Sequence, residues 1–184
     1  MKASSAVHPM LRDEALALMD GRGAILEMAR ELSGLIRESN VLAAVIGGIA
    51  VVLHGHWRST KDIDLLVGSN PTEVSELLQS HGFKHDPDRR EFVREGIPVH
   101  LVLPEQAGTT VRKTIEIDGV LTIELKELID MKLRSGTTNM LRAQDLADVI
   151  GLVRCNRLTG EFARFLSKPL RAAFRKIVRA IECE

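Results

Sequence analysis

The sequence predicts an α/β or α+β protein, with a small mixed β-sheet flanked by helices over roughly residues 20–123 and a helical C-terminal part after it. Three observations carry this expectation. Short apolar runs bounded by glycines, such as residues 41–46, read as buried strands. Apolar residues at three- and four-residue spacing, as in Ile25, Met28, Ala29, Leu32, Leu35 and Ile36, read as helix faces turned to a core. Turn pairs at Glu95-Gly96 and Asp118-Gly119 stand between short strand-like stretches, as hairpins require.

Taken in order, residues 1–9 read as frayed, and Leu11, Ala15, Leu16 and Leu18 suggest a short helix stopped by Gly21 and Gly23. A helix follows from 24 to about 40, then the strand at 41–46. Residues 49–53 continue apolar beyond Gly47-Gly48, with Gly55 placed as a helix C-cap, so the pattern is strand, glycine turn, short helix. A second strand is expected at 62–67, and Pro71 opens a helix that Gly82 closes. Residues 83–85 make a brief strand. Residues 91–94 and 97–103 form a hairpin in which Pro98 requires an early or edge position. Another hairpin is expected over 114–123. Helices at 123–134, 140–154 and 161–182 complete the chain, separated by Ser135-Gly136-Thr137-Thr138 and Thr159-Gly160.

At 184 residues the chain suits one good core, or a compact domain with a helical extension. Hydrophobic residues make up 45% but aromatic ones only 3%, with five Phe, one Trp and no Tyr, so the core must be aliphatic. The same scarcity argues against a surface that holds single-stranded nucleic acid by stacking bases. Twenty-five basic residues balance twenty-five acidic ones, so the broad positive field of a nucleic-acid-binding protein is missing. A local basic stretch runs from Arg154 to Arg179, which reads as a solvated helix face or a phosphate contact. Only Cys155 and Cys183 are present, without metal-ligand spacing, and no N-terminal apolar stretch resembles a signal peptide. A reducing cytoplasm is therefore expected. No apolar run approaches the roughly eighteen residues needed to span a bilayer, so no membrane partner is expected.

Residues two apart on a strand share a face, so Asp62 and Asp64 stand side by side while Ile63 and Leu65 alternate with them. Adjacent carboxylates repel unless a cation lies between them, the arrangement that metal-assisted phosphoryl transfer uses. Solvated aspartates at an exposed strand end are the plain alternative. Gly47-Gly48 at a strand-to-helix turn lets backbone N–H groups approach a phosphate, although a tight turn alone needs the same residues. Arg58 and Thr60, in the turn before Asp62, add a guanidinium and a hydroxyl donor.

The segment Ile46-Gly47-Gly48 through Asp62-Ile63-Asp64-Leu65-Leu66-Val67 resembles the signature of DNA polymerase β-like nucleotidyltransferases. It is similar in particular to the small bacterial branch of minimal nucleotidyltransferases and abortive-infection nucleotidyltransferase toxins. Leu125-Lys126-Glu127-Leu128-Ile129-Asp130-Met131-Lys132-Leu133 and Arg142-Ala143-Gln144-Asp145-Leu146-Ala147-Asp148-Val149 resemble the helices that follow the sheet in that branch, so the likeness covers roughly residues 40–152. It implies a nucleotidyltransferase-like domain over 1–135 and a C-terminal helical extension over 136–184. It also implies that Gly47 and Gly48 bind the nucleotide, to which Arg58 and Thr60 add their donors, and that Asp62 and Asp64 bind Mg²⁺ or Mn²⁺ and serve catalysis.

One position departs from the pattern. The family places a third carboxylate on a later strand, and the matching residue is His100, a poor Mg²⁺ ligand that suits Mn²⁺ or Zn²⁺ better and is a candidate general base. Glu105, Glu91 and Asp86 are the candidates to fill that gap. Two functional expectations therefore stand together. One is metal-dependent transfer of a nucleotidyl group from a nucleoside triphosphate to a hydroxyl on a small molecule, protein or RNA. The other is a catalytically weakened nucleotide-binding protein or toxin-antitoxin partner. The oligomeric state is open. Among lesser features, Arg142, Asp145 and Asp148 read as a salt-bridged helix face, with a functional contact as the alternative; His54 and His56 read as helix-end residues, His56 alternatively reaching a phosphate; and Lys132 reads as a snorkelling side chain or a distant phosphate contact.

Overall fold

Glycines and prolines set most of the boundaries in the structure, a computed structural model that describes residues 23–68 and 70–183. The frayed segment and short helix expected before Gly21 lie outside the described residues. Helix α1 (Ala24–Glu38) buries Ile25, Leu26, Met28, Ala29, Leu32 and Ile36, the stripe its spacing predicts. Strand β1 (Ala43–Ile46) begins two residues later than expected and is buried throughout. At Gly47, where φ is +65°, the chain turns directly into helix α2 (Gly47–Leu53). Strand β2 (Ile63–Val67) starts one residue after Asp62, and helix α3 (Pro71–Ser80) carries its proline in the first turn.

Strands β3 (Lys84–Asp86), β4 (Glu91–Arg94) and β5 (Ile97–Val102) follow, with the hairpin turn at Glu95-Gly96. Pro98 is the second residue of β5, so of its two expected positions it takes the early one, in an interior strand. A short helix α4 (Pro104–Ala107), absent from the sequence expectation, ends at Gly108 in the left-handed region. Strands β6 (Ile115–Ile117) and β7 (Val120–Thr122) make the second hairpin. The sheet has seven strands in the order β3-β4-β5-β2-β1-β7-β6. It is mixed: β2 runs parallel to β5 and β1 parallel to β7, and the remaining pairs are antiparallel.

Helix α5 (Leu125–Thr138) crosses residue 135 without a break; a 3₁₀ turn at Met140–Arg142 then leads into α6 (Ala143–Cys155). The single helix expected over 161–182 is not continuous. Two 3₁₀ turns, Gly160–Phe165 and Lys168–Leu170, precede α7 (Arg171–Glu182). Pro169 explains the break, since it lacks an N–H and its ring would collide with the preceding turn of a longer helix. Alternation along β1 and β2 divides the interior between the two faces of the sheet. One face, with Val45, Leu65 and Val99, packs on α1 and α3. The other, with Ala44, Ile46 and Leu66, packs on α5, α6 and α7 through Leu128, Leu133, Leu152 and Phe174. Apart from Phe174, the largest fully buried side chains are Leu and Ile, as the composition requires. In α7, Phe174 and Val178 face this core while Arg175, Lys176 and Arg179 are exposed, so that part of the basic stretch is the solvated face of an amphipathic helix.

Candidate functional site

Sheet register builds the site. Ile46 on β1 pairs with Asp64 on β2, and Asp64 pairs with His100 on β5, so the three stand in one row across adjacent strands. Asp64 shares its sheet face with Leu66, which the C-terminal helices cover, but it lies beyond the end of that apolar cluster. Asp62 comes onto the same side. Its Oδ2 and Asp64 Oδ1 lie 3.9 and 3.5 Å from His100 Nδ1, and neither aspartate is more than one-third exposed.

The glycine pair is required sterically. A Cβ at position 47 would stand 2.0 Å from Asp64 Oδ2, and one at position 48 would stand 2.6 Å from Thr60 Oγ1. Backbone is thereby pressed directly against the carboxylate and the hydroxyl. Helix α2 has only seven residues, so the glycines contribute close approach more than helix dipole. The Thr60 hydroxyl donates to Asp62, whose Oδ1 lies at 3.0 Å. Burial, then the charge of Asp62, pushes the Asp64 carboxyl above its ordinary pKa, with His100 opposing them in part.

Two groups from the list of possible substitutes for a third carboxylate approach the cleft, by different routes. Glu105 lines it. Glu91, 7% exposed, instead accepts a hydrogen bond from His100 Nε2 at 3.1 Å, so it stands behind the imidazole. The signal for that contact was present in the sequence. A two-residue turn at Glu95-Gly96 sets Arg94 against Ile97, and three further steps set Glu91 against His100.

The opposite wall comes from α5 and α6. Lys132 does not snorkel: it is 5% exposed, and its Nζ lies 2.9 Å from Asp145 Oδ1 and 2.7 Å from Asp148 Oδ2. Asp148 is fully buried and also accepts from Arg58 Nη1 at 3.0 Å and from Gln144 Nε2 at 3.0 Å. Arg142 Nε donates to Asp145 Oδ2 at 2.9 Å. Burial opposes ionisation of Asp145, but the hydrogen bond and charge of Lys132, helped by Ser135 and Arg142, prevail and hold its pKa below the ordinary value. The expected salt-bridged face is thus present, with Asp145 and Asp148 buried, Arg142 exposed, and Arg58 joined to it. His54 and His56 do not line the cleft. His54 Nε2 donates to the Ile123 carbonyl at 2.9 Å, and the ring of His56 packs against Gly151.

Between the walls lies an open cleft of about 930 Å³, lined by Gly47, Gly48, Arg58, Asp62, Asp64 and His100 on one side and by Lys132, Arg142 and Asp145 on the other. Among the described residues, no Phe or Trp lines it. Among the described residues, no three His, Cys, Asp or Glu side chains already converge at metal-ligand spacing. No helix among them is long and apolar enough to cross a membrane.

No family model matches the chain, and no curated protein matches it in sequence. Solved structures do match. The structure of ANT(2″)-Ia in complex with adenylyl-2″-tobramycin aligns with a TM-score of 0.54 at 15% identity, covering 82% of this chain and 96% of that one. The fold is of the nucleotidyltransferase type. An antigenic nucleotidyltransferase-like protein from Paracoccidioides brasiliensis aligns at TM-score 0.49 and 17% identity, covering 70% of this chain and 74% of that one. A tRNA-processing enzyme in its apo form aligns at TM-score 0.41 and 19% identity over 85% of this chain, which spans 47% of that longer protein. At these identities the likeness speaks to the fold alone. The roles of individual residues rest on the geometry of the cleft.

Proposed function

We propose that the protein transfers a nucleotidyl group from a nucleoside triphosphate to a hydroxyl acceptor. The observation that carries this reading is the row Ile46-Asp64-His100, which together with Asp62 brings two carboxylates against the glycine turn, opposite a wall bearing Lys132 and Arg142 to which Arg58 reaches across. The residues fit a divalent cation, because burial and Asp62 both push Asp64 toward its neutral form and a cation between the carboxylates removes that strain. Asp62 and Asp64 would hold Mg²⁺ or Mn²⁺, which supplies charge neutralisation at the phosphates. Gly47 and Gly48 admit phosphate oxygens to the backbone, Thr60 fixes Asp62, and Arg58 and Lys132 supply positive charge. The acceptor hydroxyl gives up its proton to solvent, its oxygen bonds to the α-phosphorus, the bond from that phosphorus to the β-phosphate oxygen breaks, and pyrophosphate leaves with its electron pair. Small molecules, proteins and RNA ends are the acceptor classes, and the reducing cytoplasm is the proposed setting.

Replacement of the family's third carboxylate by His100 supports a second reading, a triphosphate-binding protein with little transfer or one partner of a toxin-antitoxin pair. Calorimetry with ATP, GTP, CTP and UTP tests what the two share. Binding is expected only with Mg²⁺ or Mn²⁺, and Asp64→Asn should weaken it by about tenfold or more. Divalent-independent binding of equal strength in the native protein and this variant would remove both readings. Pyrophosphate release and labelling from radioactive triphosphate then separate them.

A further inference from the structure

His100 has one nitrogen committed and one aimed at the carboxylates. Glu91 Oε2, 3.1 Å from Nε2, can only accept when ionised, and Arg89 Nη1 lies 3.6 Å from its other oxygen. Nε2 is thereby committed to Glu91, and Nδ1 is the ring nitrogen that faces Asp64 Oδ1 at 3.5 Å and Asp62 Oδ2 at 3.9 Å. A carboxylate behind an imidazole behind a cation is the arrangement that orients histidine ligands and raises their basicity. Neighbouring ligands on an octahedral ion with bonds of about 2.1 Å stand roughly 3 Å apart, so each aspartate oxygen needs to approach Nδ1 by less than about 1 Å.

We infer that His100, oriented by Glu91, is a nitrogen ligand that makes the Asp62 and Asp64 site select Mn²⁺ over Mg²⁺. The inference rests on the proposed cation-binding role of the two aspartates. Mg²⁺ favours an all-oxygen shell and gives up water reluctantly, whereas imidazole is a good donor to transition ions. Glu91 is a positioning residue: buried beside β5, it keeps Nδ1 turned toward the aspartates.

The test uses the full chain with MnCl₂. Free Mn²⁺ is counted by electron paramagnetic resonance, Mg²⁺ competes, and pulsed resonance looks for ¹⁴N coupling to the bound ion. Native protein should show that coupling, and His100→Ala should lose it. His100→Asp should shift the Mn²⁺-to-Mg²⁺ preference toward Mg²⁺ by about tenfold or more. Glu91→Met should weaken Mn²⁺ by about tenfold to a hundredfold and leave Mg²⁺ unchanged, while Glu91→Gln, which keeps an acceptor, should restore part of the loss. Circular dichroism establishes that each variant is folded. Mn²⁺ bound through the aspartates, as shown by its loss in Asp64→Asn, but without ¹⁴N coupling would overturn the inference and leave the cation site standing. No Mn²⁺ binding, with or without a nonhydrolysable triphosphate, would remove both.

Discussion

On the helical wall of the cleft, Asp145 and Asp148 are surrounded by Lys132, Arg58 and Arg142, with oxygen-to-nitrogen distances between 2.7 and 3.0 Å. On the sheet wall, Asp62, Asp64 and Glu91 share a single imidazole. Both walls are built from buried or half-buried charge, yet burial has opposite consequences. Asp145 is held below its ordinary pKa by its partners, and Asp64 is pushed above its own. Charge on the helical wall is satisfied within the chain, as a buried ion network must be to persist. On the sheet wall Asp62 and Asp64 face only His100, and the proposed cation role rests on that imbalance. Charge satisfied within the chain and charge proposed to meet a cation thus face each other across one cleft.

The strongest way to break this contrast is to remove the centre of the helical network. Lys132→Met leaves two aspartates buried against fewer partners and should lower stability by about 3 to 5 kcal/mol in urea unfolding. A loss below about 1 kcal/mol would show that solvent screens the network, and the two walls would no longer differ in kind.

Asp145→Asn should have an intermediate effect, about 2 kcal/mol at pH 7, with a definite pH signature. Because the folded-state pKa of Asp145 is depressed, its contribution is complete above the ordinary carboxylate value and is lost as pH falls through the lowered one. Native protein and variant should therefore differ fully at pH 7 and converge below about pH 4, as thermal melts across that range would reveal. A constant difference would assign the effect to packing.

Asp64→Asn should show the smallest effect and the opposite sign. Its raised pKa means the ionised carboxylate opposes folding, increasingly as pH rises from the ordinary carboxylate range through the raised value. In EDTA at pH 7 the variant should match or exceed native stability by under about 1 kcal/mol. A clear destabilisation would make Asp64 a structural residue and equate the walls.

The elements that hold the aspartates were legible because their signals are local. Period-two alternation put Asp62 and Asp64 on one face, and the glycine pair marked the turn that meets them. The hairpin register was legible too, although Glu91 stood only among three candidates until that register was counted out. Lys132 was misread because a helix residue's burial depends on what packs over it, and Asp145 and Asp148 lie on the next helix. The break before α7 was available in Pro169, but amphipathic spacing on both sides masked it. What escaped the sequence at the site was partnership between distant segments, above all Arg58 with Asp148.

That last pair lies 90 residues apart along the chain. A ribosome adds residues from the N-terminus, so a nascent chain that has emerged only through α5 already contains every strand, the glycine turn and both aspartates of β2. It lacks Asp148, the carboxylate that draws Arg58 against Gly48 and shares Lys132. The positive wall therefore cannot set until α6 has been synthesised and has docked. Until α6 has docked, Arg58 and Lys132 lack their shared carboxylate, so the glycine turn and both aspartates are in place before the wall that faces them.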